Sequence, residues 1–296
     1  MTINRVTQQM MMSRSYDALQ VGLSRLAKTQ EQLSTGRVLN RPSDSPTDAT
    51  SAMRIRASLA DQKQYARNAQ DGIGWLGQID STLTSVLGQI RRARELGLEG
   101  ANATSMGSQA REALAVEVDQ IRDSLISASN ATYLGRPVFG GVVNGVAAYD
   151  STGAFVGIPG EVSRTVARGV KVAVNVNGPE VFGPDGASLF DDLSQLSAAL
   201  RTGDPAGLAT QLGDLDTALS RVTSALGDVG ARYNRLERAN QAAQDLTLSL
   251  SSSLSEIENV DLARATMDLK LNEVAYQAGL SATARLVQPS LSDFLR

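Results

Sequence analysis

The sequence contains neither cysteine nor histidine. These two absences exclude disulfide bonds, thiol nucleophiles, imidazole bases and the commonest ligands of transition metals. Only one tryptophan is present and aromatic residues make up 4% of the chain, which argues against base-stacking platforms and aromatic cages. We therefore expect no catalytic residue, no metal and no cofactor, and the chain is predicted not to be an enzyme.

Neither strong charge nor a long hydrophobic run is present. The net charge is −3 over 296 residues, so nucleic acid is not an expected partner. No run of 18 apolar residues occurs, and no membrane insertion is predicted. The segment Met1–Tyr16 also lacks the apolar stretch and cleavage site of a Sec-type signal peptide, so an exported protein would need another route.

A heptad-like repeat dominates the second half of the chain. Apolar positions recur at alternating spacings of four and three residues, which predicts a helix about 75 Å long that lies along another helix. The repeat consists of Leu208, Leu212, Leu215, Leu219, Val222, Leu226, Val229, Tyr233, Leu236, Asn240, Ala243, Thr247, Leu250, Leu254 and Ile257.

A second stripe of similar length, over residues 48–95, predicts the partner of this helix. Asp48 or Thr47 can cap its start, and Gly97, Gly100 and Asn102 interrupt it. The two helices should run antiparallel, because the chain leaves along one and returns along the other. The predicted core of this pair contains Ile55, Leu59, Ile73, Leu76, Leu212, Leu215, Leu219, Val222, Leu226 and Leu236.

Shorter stripes occur at both ends of the chain. The first helix should stop before a connector at Gly36–Pro46, and the last should start after a cap at residues 258–261 and run to about Val287, before Pro289. These stripes are too broad for one partner, so we predict that they order when identical subunits surround them. The alternative is that they close an intramolecular bundle. The predicted assembly interface contains Met12, Tyr16, Leu19, Leu23, Leu26, Leu33, Leu262, Met267, Leu271, Val274, Ala278, Ala282 and Leu286.

Between these helices the sequence changes character. A third helix is predicted over residues 114–128 and a short one over 189–200, and Asp204-Pro205 should start the long return helix. Residues 133–186 are rich in glycine, proline and β-branched residues, which predicts short strands and tight turns, with a turn at Asn177-Gly178.

The predicted fold is therefore mainly α. It is a long antiparallel helical bundle or coiled-coil rod with a small β-rich insertion domain and assembly-dependent terminal helices. The predicted division is an N-terminal helix and connector (1–46), a first core half (47–132), a β-rich outer domain (133–187), a returning core half (188–257) and a C-terminal inner assembly helix (258–296).

Several local motifs favour structural roles. Gly72, Gly74 and Gly77 match the dinucleotide-binding pattern, but they lie within a helical stripe and favour close helix packing. Asp191-Asp192 suits a helix N-terminus better than a catalytic carboxylate pair. Asn240 and Thr247 either select the register of the seam or mark local exposure. Three glycines in the long repeat are expected to allow close approach of a neighbouring helix: Gly213, Gly227 and Gly230.

Motifs at both ends of the chain resemble the flagellin superfamily. They are Leu33-Ser-Thr-Gly-Arg-Val-Leu-Asn40, Asn130-Ala-Thr132, Gly135-Arg136 with Phe139-Gly140-Gly141, Leu254-Ser-Glu-Ile-Glu-Asn-Val-Asp-Leu-Ala263 and Ser290-Leu-Ser-Asp-Phe-Leu-Arg296. Pro137 departs from the aromatic residue expected there. Arg41-Pro-Ser-Asp-Ser-Pro46 and Val174-Asn-Val-Asn-Gly-Pro-Glu-Val-Phe-Gly183 are more similar to the hook–filament junction branch than to filament flagellins.

This resemblance implies an extracellular structural subunit of the bacterial flagellum, exported without a cleaved signal peptide. It implies assembly at the hook–filament junction through the terminal helices. The implied partners are copies of the chain, the other hook-associated junction protein, flagellin, an export chaperone and the flagellar type III export apparatus. A short filament flagellin and a cytoplasmic coiled-coil scaffold are the alternative functions.

Overall fold

A computed structural model describes residues 2–102, 107–143, 145 and 147–287, with only the helical backbone described for residues 2–9, 11 and 285–287. Seven helices and two short strand pairs form this part of the chain, which confirms the mainly α fold class. The elements are α1 (Thr2–Thr35), α2 (Pro46–Asn102), α3 (Ser108–Ser129), β1 (Thr132–Tyr133), β2 (Arg136–Pro137), β3 (Ser163–Ala167), β4 (Val170–Ala173), α4 (Gly178–Phe182), α5 (Leu189–Thr202), α6 (Pro205–Glu258) and α7 (Leu262–Val287).

The chain divides into two compact units. One contains residues 1–60 and 248–296, and the other contains residues 61–247. The first unit is discontinuous in sequence, whereas the second is continuous, and α2 and α6 contribute residues to both. The five-segment division drawn from the sequence remains a prediction.

Side-chain caps fix where the helices begin. The Asp204 carboxylate accepts from the Ala206 amide at 3.1 Å, and the Asp261 carboxylate accepts from the Ala263 amide at 3.0 Å, as predicted. The cap of α2 is different: Ser45 Oγ accepts from the Asp48 amide at 3.4 Å and donates to its carboxylate at 2.7 Å. Asp48 is therefore the third helical residue, and Ser45 is the cap in place of Asp48 or Thr47.

Within residues 61–247, α2 and α6 run antiparallel, as predicted. Residues early in α2 meet residues late in α6, since Gly72 faces Leu236 and Arg94 pairs with Asp216 at 2.6 Å. One set of the heptad positions of α6 is buried and the other is mostly half-buried, because the second set lies at the edge of the contact. The buried set is Leu208, Leu215, Val222, Val229, Leu236 and Ala243.

Two predictions about glycine are wrong. Gly97 and Gly100 do not end α2; they lie inside it, where a Cβ at Gly97 would be 3.0 Å from Leu212 on α6 and one at Gly100 would overlap the Leu200 side chain on α5. Conversely, a Cβ at each of the three predicted close-approach glycines of α6 would meet nothing within 4 Å, so Gly213, Gly227 and Gly230 do not serve helix packing. Periodicity identifies the helix but cannot tell which of its faces a neighbour covers.

Residues 130–187 have less regular structure than their composition predicts. Strands β3 and β4 are only five and four residues long, and β4 ends at Ala173. The Asn175 side chain takes over the pairing, because its carbonyl accepts from the Val162 amide at 2.7 Å and its amide donates to the Gly160 carbonyl at 2.8 Å. Asn177 precedes α4 rather than forming a hairpin turn.

A cluster of buried aromatic rings provides the core of this segment. Phe139, Tyr149, Phe182 and Phe190 have ring centroids 5.2–5.6 Å apart. The side chain of Asn130, at the end of α3, binds the backbone of residues 148 and 149 through three hydrogen bonds and so holds the loop beside these rings. The segment is organised by side chains more than by sheet.

Candidate assembly surface

Helices α1 and α7 pack against each other in antiparallel orientation. Thr29 of α1 accepts a hydrogen bond from the Asn272 side chain at 3.3 Å, and Leu19, about three turns earlier on α1, lies against Gly279, about two turns later on α7. A Cβ at Gly279 would be 3.3 Å from Leu19, so the absence of a side chain there allows the two helices to approach closely.

The connector after α1 is fastened to the break between α6 and α7. The Val38 amide donates to the Glu258 carbonyl at 2.8 Å, and the Val260 amide donates to the Gly36 carbonyl at 3.0 Å. These bonds form an antiparallel bridge centred on Arg37 and Asn259. Two motifs that are more than 200 residues apart and that both resemble flagellins therefore meet in one structure.

Asp44 holds the connector in a tight turn. Its carboxylate accepts from the backbone amide of Arg41 at 2.9 Å and from that of Asn40 at 3.2 Å, and it pairs with Lys28 of α1 at 3.2 Å. The hydrogen bond from Arg41 and then the one from Lys28 lower the pKa of the Asp44 carboxyl below its ordinary value, because both favour the ionised form.

A buried carboxylate supports the same junction. The Glu258 side chain, at the end of α6, is almost fully buried and pairs with the half-exposed guanidinium of Arg56 on α2 at 2.8 Å. Because a buried charge is costly without a partner, Arg56 stabilises the point where α6 ends and the connector bridge begins.

An apolar stripe on α7 faces solvent. Met267, Leu271 and Val274 are each 65–70% exposed, and they line a shallow groove of about 670 Å³. Ala278 and Ala282 continue the stripe and are also exposed, as is Leu262 at its start. Large exposed apolar side chains at helical spacing are typical of a protein–protein contact surface.

The predicted stripe on α1 is divided between two roles. Tyr16 is 62% exposed and Leu23 is 50% exposed. Leu19 contacts α7 directly. The remaining members, Met12, Leu26 and Leu33, are half-buried, and the side chain of Leu286 on α7 lies outside the described residues, as do Pro289 and the segment 290–296.

The exposed apolar residues of the α1–α7 pair lie on two opposite sides of it. Val21 and Arg25 share a groove of about 630 Å³ with Ala275 and Ala282, on the side of α7 that carries its stripe. Leu23 follows Val21 by two residues, which is a rotation of about 200° around the helix, so it faces the other side. The pair therefore presents one apolar side formed mainly by α7 and another that includes Tyr16 and Leu23.

Sequence reasoning missed part of this surface. Met10 and Val21 on α1 and Leu280 on α7 are exposed apolar residues that the heptad stripes leave out. The sequence does contain a sign of these residues: each lies about half a turn around its helix from the main stripe, so each helix has exposed apolar residues on two faces.

The predicted core residues lie in both units. Leu59, Leu76, Leu215, Val222 and Leu236 are buried. Ile55, Ile73, Leu212, Leu219 and Leu226 are half-buried.

The glycine motif of α2 and the acidic pair of α5 have structural roles. A Cβ at Gly72 would be 2.8 Å from Leu236, and one at Gly74 would overlap the Tyr133 ring, so two of the three glycines allow close packing, whereas Gly77 faces open space. Asp191 forms a capping box with Ser188. The Thr247 hydroxyl donates to the Ala243 carbonyl of its own helix at 2.7 Å.

The described part of the chain offers neither a metal site nor a membrane-spanning helix. No group of three or more acidic side chains could hold a metal ion there. No helix there is long and apolar enough to cross a membrane.

Comparison with known families identifies the two ends of the chain. Residues 3–143 match the bacterial flagellin N-terminal helical region, and residues 212–295 match the bacterial flagellin C-terminal helical region. The chain belongs to the flagellin family. The N-terminal region supplies α1 and Arg37, and the C-terminal region supplies α7 and Asn259, so the two regions meet in the helix pair and in the connector bridge.

Curated relatives of this flagellin-family chain include junction and filament proteins. The flagellar hook-associated protein 3 of Salmonella typhimurium is 26% identical, with 93% of this chain and 94% of the relative covered. The flagellar filament 33 kDa core protein of Treponema phagedenis is also 26% identical, with 90% of each covered. Sequence identity therefore does not separate the two kinds of protein.

Solved structures of hook-associated proteins share the fold. A flagellar hook-associated protein of Vibrio parahaemolyticus superposes with a TM-score of 0.67 at 25% identity, covering 73% of this chain and all of that one. FlgL of Bacillus cereus superposes with a TM-score of 0.61 at 25% identity, covering 68% of this chain and 99% of that one.

Proposed function

We propose that this chain is a structural subunit of the bacterial flagellum that joins the hook to the filament. The observation that carries this proposal is the likeness to solved hook-associated proteins over nearly their whole length. The connector segment that contains Pro42 and Pro46 resembles the junction branch, so it favours a junction role over a filament role.

The mechanism is packing rather than catalysis. The α1–α7 pair carries apolar residues on two opposite sides, so one side of a subunit can cover the other side of its neighbour. Such a contact is heterologous, and it closes into a ring or continues as a helix, whereas a two-fold dimer would leave one side of each pair exposed. Burial of these side chains stabilises each contact by about 1.5–3 kcal/mol per large residue.

The partners follow from this role. We propose that the subunit packs against copies of itself, the other hook-associated junction protein and flagellin. We also propose that it reaches the cell exterior through the flagellar type III export apparatus, with an export chaperone, without a cleaved signal peptide.

A filament flagellin is the second candidate function, and the likeness to the Treponema filament protein favours it. Seeding experiments separate the two functions. A junction subunit should add a limited layer to isolated hooks, whereas a flagellin should grow filaments many subunits long from purified protein alone. Long filaments would refute the junction role.

Single charge insertions test the assembly surface. We expect Leu23→Asp and Leu271→Asp each to abolish incorporation into the flagellum and motility, because a carboxylate would be buried in the subunit contact. The unit of residues 61–247 should stay folded by circular dichroism. Gln70→Asp, an equal charge at an exposed position of α2 within residues 61–247, is the control and should assemble. Normal motility of both stripe variants would refute the proposal.

A further inference from the structure

A pocket of about 260 Å³ lies between the connector, the start of α2 and the end of α6. Its lining includes three arginines, Arg37, Arg41 and Arg56, and one carboxylate, Glu258. The other lining residues are uncharged, so three positive charges and one negative charge give this connector pocket a net charge of +2. A small concave site of that charge favours an anion.

Two of the arginines have hydrogen-bond donors to spare. The side chain of Arg37 has no ion-pair or hydrogen-bond partner among the described residues, and Arg41 only approaches the Glu31 carboxylate, at 3.6 Å. The nearby carboxylate of Asp44 does not compete for them, because it pairs with Lys28 at 3.2 Å and accepts backbone amides of the connector. The N–H groups of Arg37 and Arg41 are therefore available to a ligand.

The third arginine forms an ion pair of an unusual kind. Arg56 Nη2 lies 2.8 Å from Glu258 Oε1, yet this buried oxygen accepts no hydrogen bond within the described part of the chain. The other arginine ion pairs of comparable length, such as those of Arg94 and Arg164, each contain an aligned hydrogen bond. The N–H groups of Arg56 thus point away from Glu258 Oε1, which still lacks a donor.

These two features together specify the chemistry of the ligand. Glu258 is only 5% exposed, and a buried acceptor without a donor is costly, so the ligand must donate one hydrogen bond while it accepts several. A carboxylate group or sulfate can only accept at neutral pH. Hydrogen phosphate has charged oxygens that suit guanidinium groups, and it also has a hydroxyl that can donate to a carboxylate.

We infer that the connector pocket binds hydrogen phosphate, with Arg37 and Arg41 donating to its charged oxygens and its hydroxyl donating to Glu258 Oε1. The pocket lies within the unit of residues 1–60 and 248–296, beside the bridge between residues 36–38 and 258–260. Bound phosphate contacts the connector and the end of α6 together and thereby stabilises this bridge. The inference concerns the monomer and does not rest on the proposed function.

Titration calorimetry of the full-length monomer with inorganic phosphate, at constant ionic strength, tests the site. Arg37→Gln and Arg41→Gln should each weaken binding about tenfold or more, because each removes a charge-assisted hydrogen bond. Arg54→Gln is the matched control, since Arg54 is an exposed arginine of α2 outside the pocket, and it should bind as the native chain does. Absence of binding, or equal binding by all three variants, would overturn the inference.

Sulfate tests the role of Glu258. It resembles phosphate in size but has no hydroxyl at neutral pH, so it should bind the native chain at least about tenfold more weakly. Glu258→Gln should bind both anions alike, because an amide can donate to either of them. Equal binding of sulfate and phosphate by the native chain would overturn the inference.

Hydrogen exchange locates the effect of phosphate. The Val38 and Val260 amides should exchange several-fold more slowly when phosphate is added to the native chain, and Arg37→Gln should abolish this change. Exchange that phosphate leaves unaltered at both amides would contradict binding at the bridge. These measurements use the monomer, whereas the proposed function is tested by assembly and motility, so the failure of one is distinguished from the failure of the other.

Discussion

At the residue scale, glycine shows how the same residue type serves different ends in neighbouring helices. Gly72, Gly97 and Gly100 of α2 are packed against side chains that a Cβ would displace, whereas Gly213 and Gly227 of α6 face open space. The apolar spacing does not separate the two groups, since each glycine lies within or directly after a helical stripe. Which glycines matter depends on the position of a neighbour, and periodicity along one helix does not contain that information.

We therefore expect alanine to be tolerated at one group and not at the other. Gly227→Ala and Gly213→Ala should each raise the free energy of unfolding by about 0.5–1 kcal/mol, because the helix gains propensity and loses nothing. Denaturant unfolding of the monomer measures this. Gly72→Ala is the control and should destabilise, since the new methyl group would meet Leu236 and Val174. Equal effects at all three positions would contradict this explanation.

A single buried carboxyl should make stability depend on pH. Burial and then the charge of Asp214 raise the pKa of Asp192 to about 6, although Arg221 opposes them. The ionised form is disfavoured in the folded state, so Asp192 destabilises the protein above pH 6. This destabilisation shrinks as the pH falls from about 6 and disappears below the ordinary value of 3.8, where the carboxyl is protonated in both the folded and the unfolded state.

Asp192→Asn tests this explanation. The variant should be more stable than the native chain at pH 7.5 by about 1–3 kcal/mol, and this gain should shrink toward pH 4. Chemical unfolding at both pH values provides the measurement. Asp191→Asn should destabilise instead, because Asp191 completes the capping box with Ser188. A gain for Asp192→Asn that does not change with pH would refute the role of the charge.

At the element scale, the helices could largely be predicted from the sequence and the segment between them could not. Apolar spacing predicted the long helices, while Asp204 and Asp261 marked two of their starts correctly. Between residues 130 and 187 the determinants are side-chain amides, such as Asn130 and Asn175, that bind backbone groups far along the chain. No local pattern shows which backbone an asparagine will bind, so strand propensity overestimated the sheet.

Only part of the candidate assembly surface could be predicted from the sequence, because apolar spacing does not show how two helices pack together. The stripes on α1 and α7 contain most of its exposed members, but the separation of those members onto two sides follows only from how Leu19 and Gly279 pack together. Val21 and Leu280 were missed because they fall outside the main heptad register. The involvement of these residues in assembly remains a prediction.

The connector bridge should depend on the Arg56–Glu258 pair. Arg56→Gln removes the cation from a buried carboxylate and should destabilise the junction of α6 and α7 by about 1–2 kcal/mol. Hydrogen exchange at the Val38 and Val260 amides should then accelerate, since both belong to the bridge. Arg54→Gln, at an exposed position nearby, is the control. Unchanged exchange in the first variant would show that the pair does not support the bridge.

At the scale of the whole molecule, the two units differ in how much core they contain. The unit of residues 61–247 contains the buried aromatic rings and most of the fully buried aliphatic residues. The unit made from the two ends has few buried side chains and several large exposed ones. Stability should accordingly be unequal along the chain.

Limited proteolysis of the monomer should reflect this inequality. We expect cleavage within the terminal helices and a resistant fragment of roughly residues 45–255, because the apolar surface of α1 and α7 is uncovered until subunits pack. Mass spectrometry of the fragments defines its ends. The assembled form should resist cleavage at the same sites. Protection of residues 1–40 and 260–296 in the monomer would favour the cytoplasmic scaffold instead.

The bridge between residues 36–38 and 258–260 also sets an order of folding. Residues 61–247 are continuous, so a chain that emerges from its N-terminus can complete that unit while its last residues are still missing. The unit of residues 1–60 and 248–296 cannot close before Glu258 and Val260 have appeared, and closing it requires a contact of very large sequence separation. The α1–α7 pair, which is proposed to meet neighbouring subunits, is therefore the last part to form. A chain that is still incomplete does not yet present the full contact surface.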